Sequence, residues 1–217
     1  MSVAFGPIPY APLEIDVSVT APSFFRTPAP SGFIRIVTTE YPWPAIWALR
    51  ADGILFSMTY LAEEQVFAWS RHPRSGKVKD ICAIPSPDGT GDDLWLAVEH
   101  IIQSTAKVYI EYIAPLHLPT SSTDVSGYIF MSAALTYNGS PATVISGLSH
   151  LEGETVAILA DGKQHDTRVV TGGQITLAFE ASVVQIGLPF TALLELLPLA
   201  PAGMPQSTLK TMREVAI

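Results

Sequence analysis

The sequence holds a single cysteine, Cys82, so no internal disulfide framework is available to it. Cys82 stands in the apolar run Ile81-Cys82-Ala83-Ile84, a setting that predicts a buried, unreactive thiol. Charge is also scarce. Asp, Glu, Lys and Arg make up 15% of the chain, well short of the roughly 25% of an ordinary soluble domain. With 48% hydrophobic residues, the chain can fill a core and keep apolar surface for partners, which predicts a homo-oligomer or a hetero-assembly. Long hydrophobic runs are missing. No segment approaches roughly 18 uncharged apolar residues, so no membrane-spanning helix is predicted, despite a mean hydropathy of +0.32. The first 20 residues contain no Lys or Arg and are broken by Pro7, Pro9 and Pro12, so they do not read as a signal peptide.

Basic residues are outnumbered. The net charge of −8 disfavours tight binding to a phosphate backbone, which needs a cationic face. It suits a wall that repels DNA and lets it slide past. Motifs for phosphate cradling, dinucleotide binding and the strained nucleophile elbow are all absent. The histidines His72, His100, His117, His150 and His165 include no HExxH pair and no cluster at metal spacing. The sequence therefore predicts no catalytic residue, no cofactor and no metal ligand, and the chain reads as a non-enzyme.

What is present is punctuation. Eighteen prolines and 15 glycines separate short segments of period-two alternation, the pattern of an all-β chain with many short strands. Leu13, Ile15, Val17 and Val19 alternate with polar residues and predict a strand. Residues 33–39 predict a second. Segments 47–50, 54–60, 66–70 and 78–84 read as a four-stranded antiparallel meander, the size of a propeller blade or one sheet of a sandwich. Asp52-Gly53 predicts a type I′ hairpin turn inside it. Segments 94–100 and 107–113 predict a hairpin joined by Gln103-Ser104-Thr105, with Leu94, Leu96 and Val98 sharing a face with Val108, Ile110 and Tyr112. A Pro/Ser/Thr-rich linker at 115–127 marks a boundary. Beyond it, Asn138-Gly139, Asp161-Gly162 and Gly172-Gly173 predict turns between strands at 155–159, 175–179 and 183–187, a small β-barrel or sandwich. The segment 191–197 reads as extended. The predicted organisation is an extended N-terminal segment with a Pro-rich linker (1–30), a blade-like meander (31–117), a small β-barrel domain (118–198) and a C-terminal extension (199–217).

Four features deserve a chemical reading. The loop from Asp88 to Asp93 sets Glu99 at the twelfth position of a calcium-loop pattern, but Asp93 takes the sixth, where the turn needs glycine; a solvated hairpin loop is predicted. Arg71, His72, Arg74, Lys77 and Lys79 form a basic cluster with Glu63, Glu64 and Asp80 close by, which predicts ion pairing rather than a nucleic-acid patch. His100, on a strand with Leu94 and Val98, predicts a packed core imidazole. His150 follows Ser149, and neighbours on a strand point to opposite sides, so a turn role is predicted rather than a nucleophile–base pair. Trp43, Trp69 and Trp95 are the candidate interface or stacking aromatics.

The run from Tyr41 through Trp43, Trp47 and Asp52-Gly53 to Thr59-Tyr60 and Ala68-Trp69-Ser70-Arg71-His72 resembles the repeated blade of bacteriophage tail nozzle proteins, also called tail tubular protein B-like or tail hub proteins. Leu94-Trp95-Leu96-Ala97-Val98 with Val108-Tyr109-Ile110-Glu111-Tyr112 is similar to a later hairpin of that family. Leu135-Thr136-Tyr137-Asn138-Gly139 and the 147–156, 172–177 and 187–190 runs follow in the same order. The resemblance spans roughly residues 41–199. It implies a structural subunit of a phage or prophage tail, present in the virion and assembled in the host bacterial cytoplasm. It implies tail-subunit partners and a DNA ejection channel through which the genome passes without sequence-specific binding. The alternative is a carbohydrate-binding β module for host-surface glycans, using the tryptophans as stacking platforms.

Overall fold

The computed structural model describes residues 32–40, 44–61, 66–87, 89, 91–113 and 125–191. The regular elements there are eleven strands, all paired antiparallel, and one 3₁₀ turn at Ser149–Leu151. The all-β antiparallel class expected from the alternation is the class observed. The strand expected at 13–19 and both terminal extensions lie outside the described residues, as does nearly all of 191–197. No helix of the described residues is long and apolar enough to cross a membrane.

Strands β1 (Phe33–Thr39), β2 (Ala45–Arg50), β3 (Leu55–Leu61) and β4 (Val66–His72) make the first sheet, a meander in chain order. Its central turn differs from the type I′ expectation. Only Gly53 takes positive φ, at 88°. The Arg50 N–H donates to Ile54 O at 3.0 Å and the Gly53 N–H to Arg50 O at 2.9 Å. This is a three-residue loop closed by a left-handed glycine bulge. In this loop the Asp52 carboxylate accepts from the Ile54 N–H at 3.2 Å and from the Arg50 guanidinium at 2.6 Å. A Cβ on Gly53 would also stand 2.9 Å from Lys77 Cβ and 3.2 Å from Val78 O. Gly53→Ala is expected to cost about 1–3 kcal/mol, read as a lower urea midpoint with an unchanged slope.

Strands β5 (Lys77–Pro85), β6 (Asp92–Ile102) and β7 (Thr105–Tyr112) make the second sheet. The sequence placed β5 at the end of the first meander; instead β1 completes that sheet and β5 pairs with β6. The break falls at Pro73–Gly76, where Pro73 lacks a ladder donor and Gly76 turns at φ 91°. β5 then packs its apolar face on the first sheet rather than lengthening it. Leu49 and Leu55 share one core with Val78, Ile81, Leu94, Leu96 and Val98. The two sheets are thus a sandwich, sealed by residues each contributing about 1.5–3 kcal/mol when fully buried.

The β6–β7 hairpin holds the most consequential departure from expectation. Gln103 and Ser104 alone form the loop, both at positive φ (48° and 62°), so Ile102 pairs with Thr105. The expected three-residue loop would have shifted the register by one. In the observed register Val108 faces Glu99, Ile110 faces Ala97 and Tyr112 faces Trp95. A one-residue slip exchanges the two faces of a strand. Val108, Ile110 and Tyr112 therefore lie opposite to the side that carries Leu94, Leu96 and Val98, and are 55%, 70% and 52% exposed. Cys82 pairs with Trp95 on the same outward side and is exposed, not buried as its apolar neighbours suggested.

Strands β8 (Ser132–Ser146), β9 (Thr155–Ala160), β10 (Lys163–Val169) and β11 (Gln174–Leu188) make the third sheet, in the order β10-β9-β11-β8. Asp161-Gly162 and Gly172-Gly173 form the expected tight turns, with all four residues at positive φ. Asn138-Gly139 does not turn. It lies inside β8, where the Tyr137 hydroxyl donates to Ser140 O at 2.6 Å and the pairing with β11 slips. The two strands expected at 175–179 and 183–187 are halves of β11, bent at Ala181 by the matching irregularity. Of the small barrel or sandwich expected for 118–198, the closed barrel does not form among the described residues: β8 and β10 bound an open sheet. β10 reads Lys-Gln-His-Asp-Thr-Arg-Val, a polar edge suited to water rather than to a partner strand. Ile102 of β6 sits in this sheet's core beside Ile145, Leu148, Leu151, Val156 and Val184.

Candidate functional site

A concavity lies where the second and third sheets meet. It encloses about 890 Å³ and is lined by His72, Arg74, Tyr109, Glu111, Ser132 and His150 among others. The polar wall residues arrive from several elements. His72 ends β4, Arg74 comes from the β4–β5 connection, Tyr109 and Glu111 from the inner face of β7, and His150 from the 3₁₀ turn. Sequence reading missed this convergence because the residues are spread over nearly eighty positions.

The floor is a buried charge network. His100 is 1% exposed, and its Nε2 contacts Glu111 Oε1 at 2.5 Å. The other carboxylate oxygen stands 3.7 Å from Arg74 Nη1. Burial pushes the Arg74 guanidinium below its ordinary value, partly opposed by Glu111. Arg74 Nε and His100 Nδ1 find no hydrogen-bond partner among the described residues. The core position expected for His100 is the one observed. Around this floor, Tyr109 donates its hydroxyl to His150 O at 2.6 Å, and His150 Nε2 lies 3.2 Å from Ala133 O. The Ser75 N–H donates to Ser132 Oγ at 3.0 Å, and the Gln103 N–H to Glu154 Oε1 at 2.8 Å. The cleft walls are therefore also the ties between two sheets. Burial, then Glu154, raises the Tyr109 phenol above its usual value.

Ser57 Oγ and His72 Nε2 are 2.8 Å apart on adjacent strands, a hydroxyl–imidazole contact that the sequence reading did not anticipate. Pairing of Leu55 with His72 sets both side chains on the inner face, so only strand register could have disclosed it. Chemically the pair is a poor nucleophile–base unit. Burial, aided by Arg74, pushes His72 down to about 4, far from the neutral range a general base needs. No carboxylate is bonded to its ring among the described residues, and Trp47 packs on it with centroids 4.9 Å apart.

A pH dependence follows. The folded His72 titrates near 4, whereas an unfolded histidine titrates near 6.5. Between these values the unfolded chain binds more protons, so stability rises with pH there. The contribution is complete above about pH 6.5 and is lost as pH falls through about 4. Replacing His72 with glutamine is expected to flatten the rise between pH 4 and 6.5, measured by urea unfolding across that range.

The remaining candidates disperse. Trp43 and His117 lie outside the described residues. Trp69 is stacked on Phe33 at 6.0 Å and 9°. Trp95 is half-buried beside Tyr112, with ring centroids 5.4 Å apart. The basic cluster divides: Lys79 pairs with Glu99 at 2.9 Å and Arg74 faces Glu111. Arg71 and Lys77 are exposed. Of the calcium-like pattern, Asp92 accepts from the Glu40 N–H at 2.7 Å and Glu99 pairs with Lys79, while Asp88 lies outside the described residues. No group of three metal-ligating side chains occurs among the described residues. No protein-family model and no curated protein matches this chain.

Proposed function

We propose that the protein is a structural subunit of a bacteriophage or prophage tail, of the nozzle or hub type, working through packed β faces and not through turnover. The observation that carries this reading is the exposed apolar side of the second sheet, where Ile101 (62% exposed), Val108, Ile110 and Tyr112 stand together. An exposed apolar patch on a sheet face is the kind of surface that partners cover. The blade resemblance supports it. The run from Trp47 to His72 that carries the resemblance lies within a four-stranded antiparallel meander, the unit of a propeller blade. The ionisable groups of the cleft engage one another and tie sheets together, a use consistent with scaffolding. A chain of net charge −8 would repel passing DNA phosphates and keep transit fast.

The test is location. Antibodies against the chain, applied to phage particles from the bacterium that carries its gene, are expected to label the tail end. Particles complete in every other respect but lacking this chain would overturn the reading. A glycan-binding role draws on one observation, the Trp95–Tyr112 pair on an exposed sheet face. A glycan array without a hit would remove it.

A further inference from the structure

The first sheet is buried on both sides, and the second sheet accounts for one of them. Leu49 of β2 and Leu55 of β3 face the second sheet and share its core. Their neighbours along each strand point the opposite way. There Ala48 pairs with Phe56, and Met58 pairs with Trp69. Ala48, Phe56 and Met58 are 1%, 1% and 4% exposed, yet they belong to neither of the cores that the second and third sheets fill. Phe33 stacks on Trp69 and meets Phe56 edge-on. Arg50 stands over the Phe56 ring, 5.1 Å from its centroid, and is itself only 7% exposed. Phe33, Arg50, Phe56 and Trp69 each make a further polar, charge or ring contact besides these. The exposures are those of a single copy, so the cover over these groups belongs to the chain itself. Ile36 of β1 pairs with Ala48 on the same side and is 58% exposed. The cover therefore lies over β2, β3 and β4 and leaves β1 open.

We infer that the chain's N-terminal segment, through Phe24 and Phe25, packs across this side of the first sheet. The chain enters β1 there. The bulge between Phe33 and Arg35 sets Phe33 against Trp69 and Phe56. The Ala51 N–H donates to Gly32 O at 3.0 Å, which fixes the entry beside Arg50. The eight residues from Phe25 to Phe33 span roughly 26 Å when extended. Four strands are roughly 14 Å across, so both phenylalanines can reach any part of the buried side. Pro28 and Pro30 favour an extended course between. Two phenylalanine rings suit a floor of Phe33, Phe56 and Trp69. The other segments outside the described residues start elsewhere. Residues 41–43 and 62–65 join these strands at the end away from Phe33 and Arg50. Residues 114–124 follow Ile113, which packs in the core on the sheet's other side. Residues 192–217 begin beside Phe190, in the cleft between the second and third sheets. The first sheet is then the middle of three layers within one copy, and neighbouring subunits must use other surfaces. The inference stands independently of the tail reading.

The experiment uses the full chain carrying Cys82→Ser and two new thiols, Ser23→Cys and Arg71→Cys. Arg71 is exposed and pairs with Phe56, which places it on the side in question. A short bismaleimide is expected to bridge the two thiols within one copy, giving a cross-linked peptide by mass spectrometry at the mass of a single chain. Ser23→Cys with Lys107→Cys, an exposed site on β7, is the control and should not bridge. Adding Phe24→Ser and Phe25→Ser should cut the bridging to Arg71→Cys several-fold, with thermal unfolding showing that the variant is folded. Should that variant fail to fold, bridging in the parent pair decides alone. Absence of the Ser23→Cys to Arg71→Cys bridge overturns the inference, as does equal bridging to Lys107→Cys. Bridging only between copies, read as a doubled mass, also overturns it and gives the cover to a second copy. Bridging of Ser207→Cys to Arg71→Cys in place of Ser23→Cys overturns it in favour of the C-terminal segment. Each of these failures leaves the tail reading to be judged by particle labelling.

Discussion

Replacement of Glu111 by alanine is expected to lower the unfolding free energy by about 3–5 kcal/mol, the range for removing one partner of a buried charge group. Glu111 lies between two groups that water barely reaches. His100 has 0% and Arg74 16% side-chain exposure. With the carboxylate gone, the guanidinium keeps its charge and loses the only carboxylate facing it among the described residues. Glu111→Gln retains shape and one acceptor and should lose less. The double variant Glu111→Gln, Arg74→Met should recover part of the loss, because it removes the stranded cation as well. Equilibrium urea unfolding of the wild type, Glu111→Gln, Arg74→Met and the double variant closes the cycle. Equal stability of the wild type and Glu111→Ala would show that the network contributes nothing.

Leu96→Ala should be nearly as damaging, at about 2–5 kcal/mol. Leu96 is 1% exposed, at the centre of the core shared by the first and second sheets. Truncation leaves a void between layers that a sandwich cannot easily close, since both walls are fixed by backbone ladders. One strand away, on the opposite side of the same sheet, Ile110→Asp should change monomer stability by no more than about 0.5 kcal/mol. The contrast tests the register directly. In the register expected from sequence, Ile110 would face inward with Leu96, and an aspartate there would be ruinous.

That contrast also marks how far the sequence could be read. Alternation in β6 placed Leu94, Leu96, Val98 and His100 on one side, and they are buried there. Alternation in β7 grouped Val108, Ile110 and Tyr112 correctly with one another. Which side of the sheet they occupied depended on one residue of loop length, and Gln103-Ser104 carries none of the glycine or asparagine that announces a two-residue turn. The prominent pair Asn138-Gly139 erred in the other direction. It looked like a turn and lies within a strand, because Tyr137 and the long partner β11 hold the chain extended with an irregularity instead.

The candidate cleft was hidden for a related reason. His72, Arg74, Tyr109, Glu111 and His150 are unremarkable one by one, and no local spacing links them. Only the departure of β5 from the first meander brings the β4–β5 connection over β7. The Tyr109–His150 bond then needs the third sheet docked alongside. Cys82 shows the same limit: an apolar neighbourhood along the chain does not say which side of a strand has a cover.

The amino-acid order by itself determined the strand content, the antiparallel class and most turn positions, because those follow from side-chain period and backbone preference within a few residues. Tertiary structure alone decided which strand bonds to which, which stripe faces water and which ionisable groups become neighbours. These depend on loop closure and layer packing between residues far apart, where a shift of one position moves a side chain from core to surface at no local cost.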